Sequence, residues 1–148
     1  DMAEPTATAD EVAAIKNKGK AAVLIGIENG YPIGNDLSII KEFYDRGARY
    51  ITLAHTRNND ICDSSTDDEE HGGLSDLGKQ VVHEMNRLGM MVDVSHISDK
   101  SFYDVLEITK VPVIASHSNA RTVCDNPRNL TDEMLLCVKM EELYRYVF

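Results

Sequence analysis

The stretch Met90-Met91-Val92-Asp93-Val94-Ser95-His96 decides how the chain is read. A short run, rich in apolar residues, follows Gly89 and ends on a histidine. Runs of this length and composition read as buried strands. Three other runs share the arrangement: Ala21 to Ile27 before Glu28, Arg49 to Ala54 before His55, and Val111 to Ser116 before His117. Side chains alternate along a strand. Counting back from each end groups Leu24, Gly26 and Glu28; Ile51, Leu53 and His55; Val92, Val94 and His96; Val113, Ala115 and His117. In each group the lower positions are apolar or small, and the top position is Glu or His.

Helical patterns fill the intervals. Thr8 and Glu11 form a capping-box pattern for a helix from Thr8 to Lys18, which Gly19 ends. Tyr31 to Asp36 is turn chemistry. Leu37, Ile40, Phe43 and Tyr44 share one helical face before Gly47. A long polar loop runs from Thr56 to Gly73. Leu74, Leu77, Val81, Met85 and Leu88 then have helical spacing, with Ser75 near the start and Gly89 at the end. Phe102, Val105 and Leu106 mark a short helix, and the segment from Thr131 is helical in pattern to near the C-terminus. Alternation of strands and helices means a parallel sheet with crossover helices, an α/β fold. No internal repeat or boundary interrupts it, so residues 1–148 are expected to form one domain.

Composition narrows the function. Of 148 residues, 43% are apolar and 27% charged, which belongs to an ordinary globular chain. No apolar run reaches the length of a membrane span, and no leader pattern is visible. The chain begins at Asp1 rather than Met, so its natural N-terminus is expected upstream. The net charge of −10 argues against nucleic acid as a partner. Part of the acidic excess lies between Asp60 and Glu70, read as a solvated loop. Cys62, Cys124 and Cys137 are widely spaced, without a CxxC pair. They argue against a disulfide scaffold and favour a reducing, cytoplasmic compartment.

The four strand ends carry the chemistry. Taken singly, each is more often structural than a ligand. Three histidines and a glutamate at the C-terminal ends of parallel strands stand where barrel enzymes and open α/β sheets place their sites. Neutral imidazole and carboxylate are the ligands zinc takes in catalytic centres. His83, on a polar helix face, reads as a surface residue, and His71 as a loop residue. Asp93 and Ser95 are polar inside a strand; they read equally as partners that hold His96 or as a locally satisfied pair. Arg121 and Arg128, in the loop after His117, are both placed to clamp a carboxylate, and position alone does not choose between them.

The motifs resemble those of the membrane (renal) dipeptidase family, bacterial members included. The matching stretches are Ile25-Gly26-Ile27-Glu28-Asn29-Gly30, Thr52-Leu53-Ala54-His55-Thr56-Arg57-Asn58, Leu74-Ser75-Asp76-Leu77-Gly78, Val92-Asp93-Val94-Ser95-His96, Ile114-Ala115-Ser116-His117-Ser118 and Pro127-Arg128-Asn129-Leu130. The resemblance runs from about Thr8 to about Leu135. It implies a (β/α)8 barrel of the TIM type, of which about four strands are present here. It implies two zinc ions and hydrolysis of dipeptides by a metal-bridging hydroxide. Carried over by position, Glu28 resembles the bridging carboxylate, and His96 and His117 the ligands of the second zinc. His55 resembles the histidine that contacts substrate and steadies the tetrahedral intermediate. Arg128 resembles the residue that binds the substrate carboxylate.

The resemblance also implies a His-x-Asp pair for the first zinc, and no His-x-Asp occurs in this chain. The chain therefore reads as the central part of a barrel. Its parent protein is expected to be a zinc dipeptidase, and these 148 residues alone to have little activity. The alternatives are a non-catalytic half-barrel that binds metal or pairs with a second copy through exposed sheet edges, and another metal-dependent barrel hydrolase.

Overall fold

The structure, a computed structural model, describes residues 2–145. Four parallel strands lie side by side in chain order: β1 (Ala3–Thr6), β2 (Ala21–Glu28), β3 (Ala48–Thr52) and β4 (Met91–Asp93). The helices α1 (Ala9–Asn17), α2 (Ser38–Asp45) and α3 (Asp76–Leu88) make the crossovers. Two more, α4 (Asp99–Ile108) and α5 (Asp132–Arg145), follow the sheet. This is a partial (β/α)8 arrangement. Among the described residues no helix is long and apolar enough to cross a membrane. The last three positions of the helical pattern read from Thr131 lie outside the described residues.

The helix ends follow local chemistry. Thr8 caps α1 through a complete capping box with Glu11. Ser75 caps α3, and Gly89 ends it at φ 76 in the left-handed region, where glycine carries no Cβ penalty. Ser98 caps α4. Between helices and sheet lies one apolar core. Ile40 of α2, Val81, Val82 and Met85 of α3, Phe102 and Val105 of α4, Ile51 of β3 and Val92 of β4 are all buried in it.

Three features differ from the sequence reading. A strand, β1, precedes the first helix; with four residues, one of them Pro5, it has no legible alternation. Strand β2 is not buried on both faces: Val23, Leu24 and Ile25 are 42–47% exposed. The run Val111 to Ser116 joins the sheet through a single bridge, Asp93 to Ile114, rather than as a full strand. That bridge is nevertheless parallel and hydrogen-bonded both ways, from Val94 N to Ile114 O at 2.8 Å and from Ile114 N to Val92 O at 2.9 Å.

The loop between β3 and α3 is less solvated than its charge suggests. Asp60, Asp68, Glu69 and Glu70 are exposed, but Ile61, Cys62, Asp63 and Ser64 are buried. The Asp63 carboxylate accepts from the backbone N–H groups of Glu70, His71 and Gly73 at 2.9–3.1 Å. Its carbonyl accepts from Ser98 N and Ser101 Oγ. Burial alone would raise the Asp63 pKa; the three N–H donors outweigh it and hold it below the usual carboxylate range. His71, through Nε2 on Asn59 O at 2.9 Å, also belongs to this scaffold.

Gly78 of α3 lets the loop pass against the helix. A Cβ there would lie 2.1 Å from the backbone oxygen of Ile61. Gly78→Ala is therefore expected to destabilise the fold by about 1–3 kcal/mol, read as a lower urea midpoint. Asp63→Asn should cost about 2–3 kcal/mol at neutral pH. Because the folded-state pKa of Asp63 is depressed, its contribution is present above the ordinary carboxylate range and is lost as pH falls through the folded value. The variant should show a flatter loss of stability on acidification below about pH 4.

Candidate metal centre

Glu28 is the last residue of β2. Asn29 follows at φ 78, one of two non-glycine residues with positive φ among those described. Its Oδ1 accepts from Tyr31 N and from Asn59 Nδ2, at 3.1 and 2.9 Å. Asn59 also donates to Leu53 O at 2.8 Å, which ties the turn after Glu28 to the segment that leads to His55. The other residue is His96, at φ 72. Left-handed backbone costs an L-residue about 1–2 kcal/mol.

The strands bring the site residues together by a different phase from the one alternation suggests. Strand β3 carries a register shift: Ile25 pairs with Ala48 but Gly26 with Tyr50, so Arg49 is the extra residue. Glu28 then stands beside Thr52, and Thr52 beside Asp93. Gly26, Glu28, Tyr50, Thr52, Ser116 and His117 line one cavity of about 320 Å³. Ile51 and Val92 point the other way, into the helix core. Asp93 is thus polar because it faces the site side of the sheet. His55 and His96 lie beyond the ends of β3 and β4, on irregular backbone. Ser64 of the acidic loop spans both segments: its hydroxyl donates to His55 O at 2.6 Å and lies 3.3 Å from His96 O.

The result is a cluster around one oxygen. Glu28 Oε1 lies 3.6 Å from His55 Nε2, 3.5 Å from His96 Nε2 and 3.3 Å from His117 Nε2. The His55 and His96 rings are 4.3 Å apart, and those of His96 and His117 are 4.8 Å apart. Glu28, His55 and His96 each offer a ligand atom, all within 4.8 Å of one another. His55 thus belongs to this set, whereas His117 meets it through Glu28 Oε1.

Arg128 reaches the same cluster. Its Nη2 donates to His117 O and contacts His96 Nε2, both at 3.2 Å. Arg121 is engaged elsewhere: it makes a two-point pair with Asp99 at 2.6 and 2.8 Å and donates to Asn129 O and Pro127 O. The geometry separates two arginines that sequence position could not.

The donor set fits a cation. A guanidinium has no acceptor, so His96 Nε2 receives the Arg128 hydrogen bond and holds a lone pair. Burial first, then the charges of Arg128, His55 and His117, press the His96 pKa down to about 4, against an opposing pull from Glu28. His96 is therefore neutral at neutral pH. Among the described residues the Glu28 carboxylate accepts no hydrogen bond, although three ring nitrogens surround it. Three imidazole nitrogens around one carboxylate oxygen are the donor types of a catalytic metal site.

The buried side chain that sequence reasoning left unresolved is Asp93. It accepts from Thr52 Oγ1 at 2.7 Å, Ser116 Oγ at 2.5 Å, Ser95 N at 3.1 Å and Ser116 N at 3.0 Å. It reaches the cluster through Ser116 and His117, not through His96. Two polar positions per strand end, Thr52 with His55 and Ser116 with His117, were the available signal.

Comparison with known proteins gives a consistent result. The family model described as membrane dipeptidase (peptidase family M19) matches residues 2–142. Dipeptidase tcpJ of Claviceps purpurea is 43% identical over 136 residues, covering 91% of this chain and 32% of that protein. Dipeptidase 3 of Mus musculus is 43% identical over 130 residues, covering 84% of this chain and 26% of that protein. Among solved structures, the probable dipeptidase PvdM from Pseudomonas aeruginosa superposes with a TM-score of 0.90 at 34% identity, over 95% of this chain and 37% of the other. A metallo peptidase from Rhodobacter sphaeroides, liganded with a phosphinate mimic of the dipeptide L-Ala-D-Ala, superposes with a TM-score of 0.87 at 30% identity, over 95% of this chain and 42% of the other. The chain spans about a third of the length of the curated relatives it matches.

Proposed function

Because the chain belongs to the membrane dipeptidase family, peptidase family M19, we propose that the protein it represents hydrolyses dipeptides, with zinc as its metal. The observation that carries this reading is the convergence of three imidazole Nε2 atoms on Glu28 Oε1 at 3.3–3.6 Å, with Arg128 beside them. Zinc held there supplies a Lewis acid and lowers the pKa of water to about 7.

The chain's own residues divide the remaining work. Glu28, His96 and His117 hold the metal. His55, half-exposed at the edge of the cluster, faces the substrate and donates to the oxygen on which charge develops. The guanidinium of Arg128 takes the substrate carboxylate in two-point fashion. That preference for a terminal carboxylate supports a dipeptide over a lactone or phosphoester. His55 is also within ligand reach of Glu28, so its role is separable from that of His117 only by experiment. Exposed Val23, Leu24 and Ile25 on β2 favour self-association of this chain, which sedimentation velocity would register.

The purified chain is expected to take up about one equivalent of zinc. Glu28→Ala, His96→Ala and His117→Ala should each weaken uptake at least tenfold in a competitive chelator titration, whereas His55→Ala should not. Undiminished zinc affinity in the first three variants would sink the metal assignment. Arg128→Ala should weaken dipeptide binding to the zinc-loaded chain by about tenfold or more, with zinc affinity little changed. Gly-D-Ala should be turned over slowly at most by these 148 residues alone.

A further inference from the structure

Burial does not anchor His117 as it anchors His96. Its side chain is 40% exposed, against 5% for His96. An imidazole in water is free to place its proton on either nitrogen, and the proton on Nε2 would block that nitrogen as a ligand. Something must therefore decide the tautomer.

Two contacts decide it. Ser116 Oγ donates to Asp93 Oδ2 at 2.5 Å. The same oxygen lies 2.6 Å from His117 Nδ1. A serine hydroxyl has one proton and two lone pairs. With its proton given to Asp93, Ser116 can only accept from His117, so Nδ1 carries the hydrogen and Nε2 the lone pair. That Nε2 is the atom 3.3 Å from Glu28 Oε1. His117 N also donates to Ser95 Oγ at 3.2 Å, which holds the backbone that presents the ring.

The direction of the chain of bonds depends on Asp93 accepting and never donating. Burial would raise its pKa, but the bonds from Ser116 Oγ, Thr52 Oγ1, Ser116 N and Ser95 N prevail and keep it below the usual carboxylate range. Asp93 is also shared: Thr52 belongs to β3, Ser95 follows β4, and Ser116 belongs to the bridged segment beyond.

The geometry points to Asp93 and Ser116 as positioning residues that fix the proton of His117 on Nδ1 and so present its Nε2 lone pair to the metal. The inference rests on the reading of this cluster as a metal centre. It adds two side chains that act through His117.

The test uses the 148-residue chain and two readouts besides activity. Long-range 1H–15N correlation of the His117 ring, without metal and at about pH 8 where free imidazole is neutral, should show the Nδ1–H tautomer. In Ser116→Ala the ring should shift toward Nε2–H, the form favoured in water. Zinc affinity of Ser116→Ala, by chelator competition, should fall about 10–100-fold; the urea midpoint falls as one charge-assisted bond is lost, but the chain still folds because Asp93 keeps its other three donors. Ser116→Thr, which retains the hydroxyl, should restore both readouts. Asp93→Asn is the harsher variant; where it folds, it should reproduce the tautomer shift. An Nε2–H ring in the unaltered chain, or equal zinc affinity in Ser116→Ala, overturns the inference. A chain that takes up no zinc overturns the reading of the centre instead, and the tautomer of His117 then decides the relay by itself.

Discussion

The buried carboxylate of Asp93 is the constraint on which the rest of the molecule turns. One ion draws four hydrogen bonds from the end of β3, from the turn after β4 and from the segment before His117. Hydrogen bonds to an ionised group are roughly twice as strong as neutral ones, and together they offset the cost of taking the charge out of water. Three pieces of chain that need not meet are thereby held at one height. The segment from Val111 to Ser116 makes only one ladder bridge to the sheet. Its end is located by Asp93 more than by the sheet.

A second acidic side chain does the same on the other side of the cluster. Asp63 organises the long loop through backbone donors, and the next residue, Ser64, holds the carbonyls of His55 and His96. The loop thus acts as a brace for the two segments that carry His55 and His96. The positive-φ backbone at Asn29 and His96 is the local cost of this convergence. Such strain persists where the surroundings over-determine a residue, and it clusters at functional sites.

Much of this was legible in the chain. The caps at Thr8 and Ser75 and the glycine stop at Gly89 are local chemistry, and local chemistry reads directly. The four strand ends were found because Glu and His are rare after apolar runs. Their side-chain phase was not, because a bulge at Arg49 and a left-handed His96 break the alternation that sequence reasoning extends to the end of a strand. β1 is too short for a pattern, and β2 has an apolar composition that does not reveal which face finds a partner. The loop misled for a related reason. Its charge count is set by exposed carboxylates, while the one that matters, Asp63, is buried and looks the same in sequence. Position along the chain did not tell Arg121 from Arg128; the resemblance pointed to Arg128, and in the fold Arg121 pairs with Asp99, 22 residues away, while Arg128 reaches His96 and His117.

The strands lie in space in the order in which they occur in the chain, β1 to β4, each beside its predecessor. Connections of this kind keep most strand contacts between neighbouring units, which lowers the entropy that must be lost before a contact forms. A ribosome delivers the units in the same order, so each can settle on the edge left by the one before. The side chains of the cluster follow suit: Glu28, His55, His96, and finally His117. The gathering of imidazoles around Glu28 is complete only with the last of these, so it is a property of the whole arc rather than of any single unit.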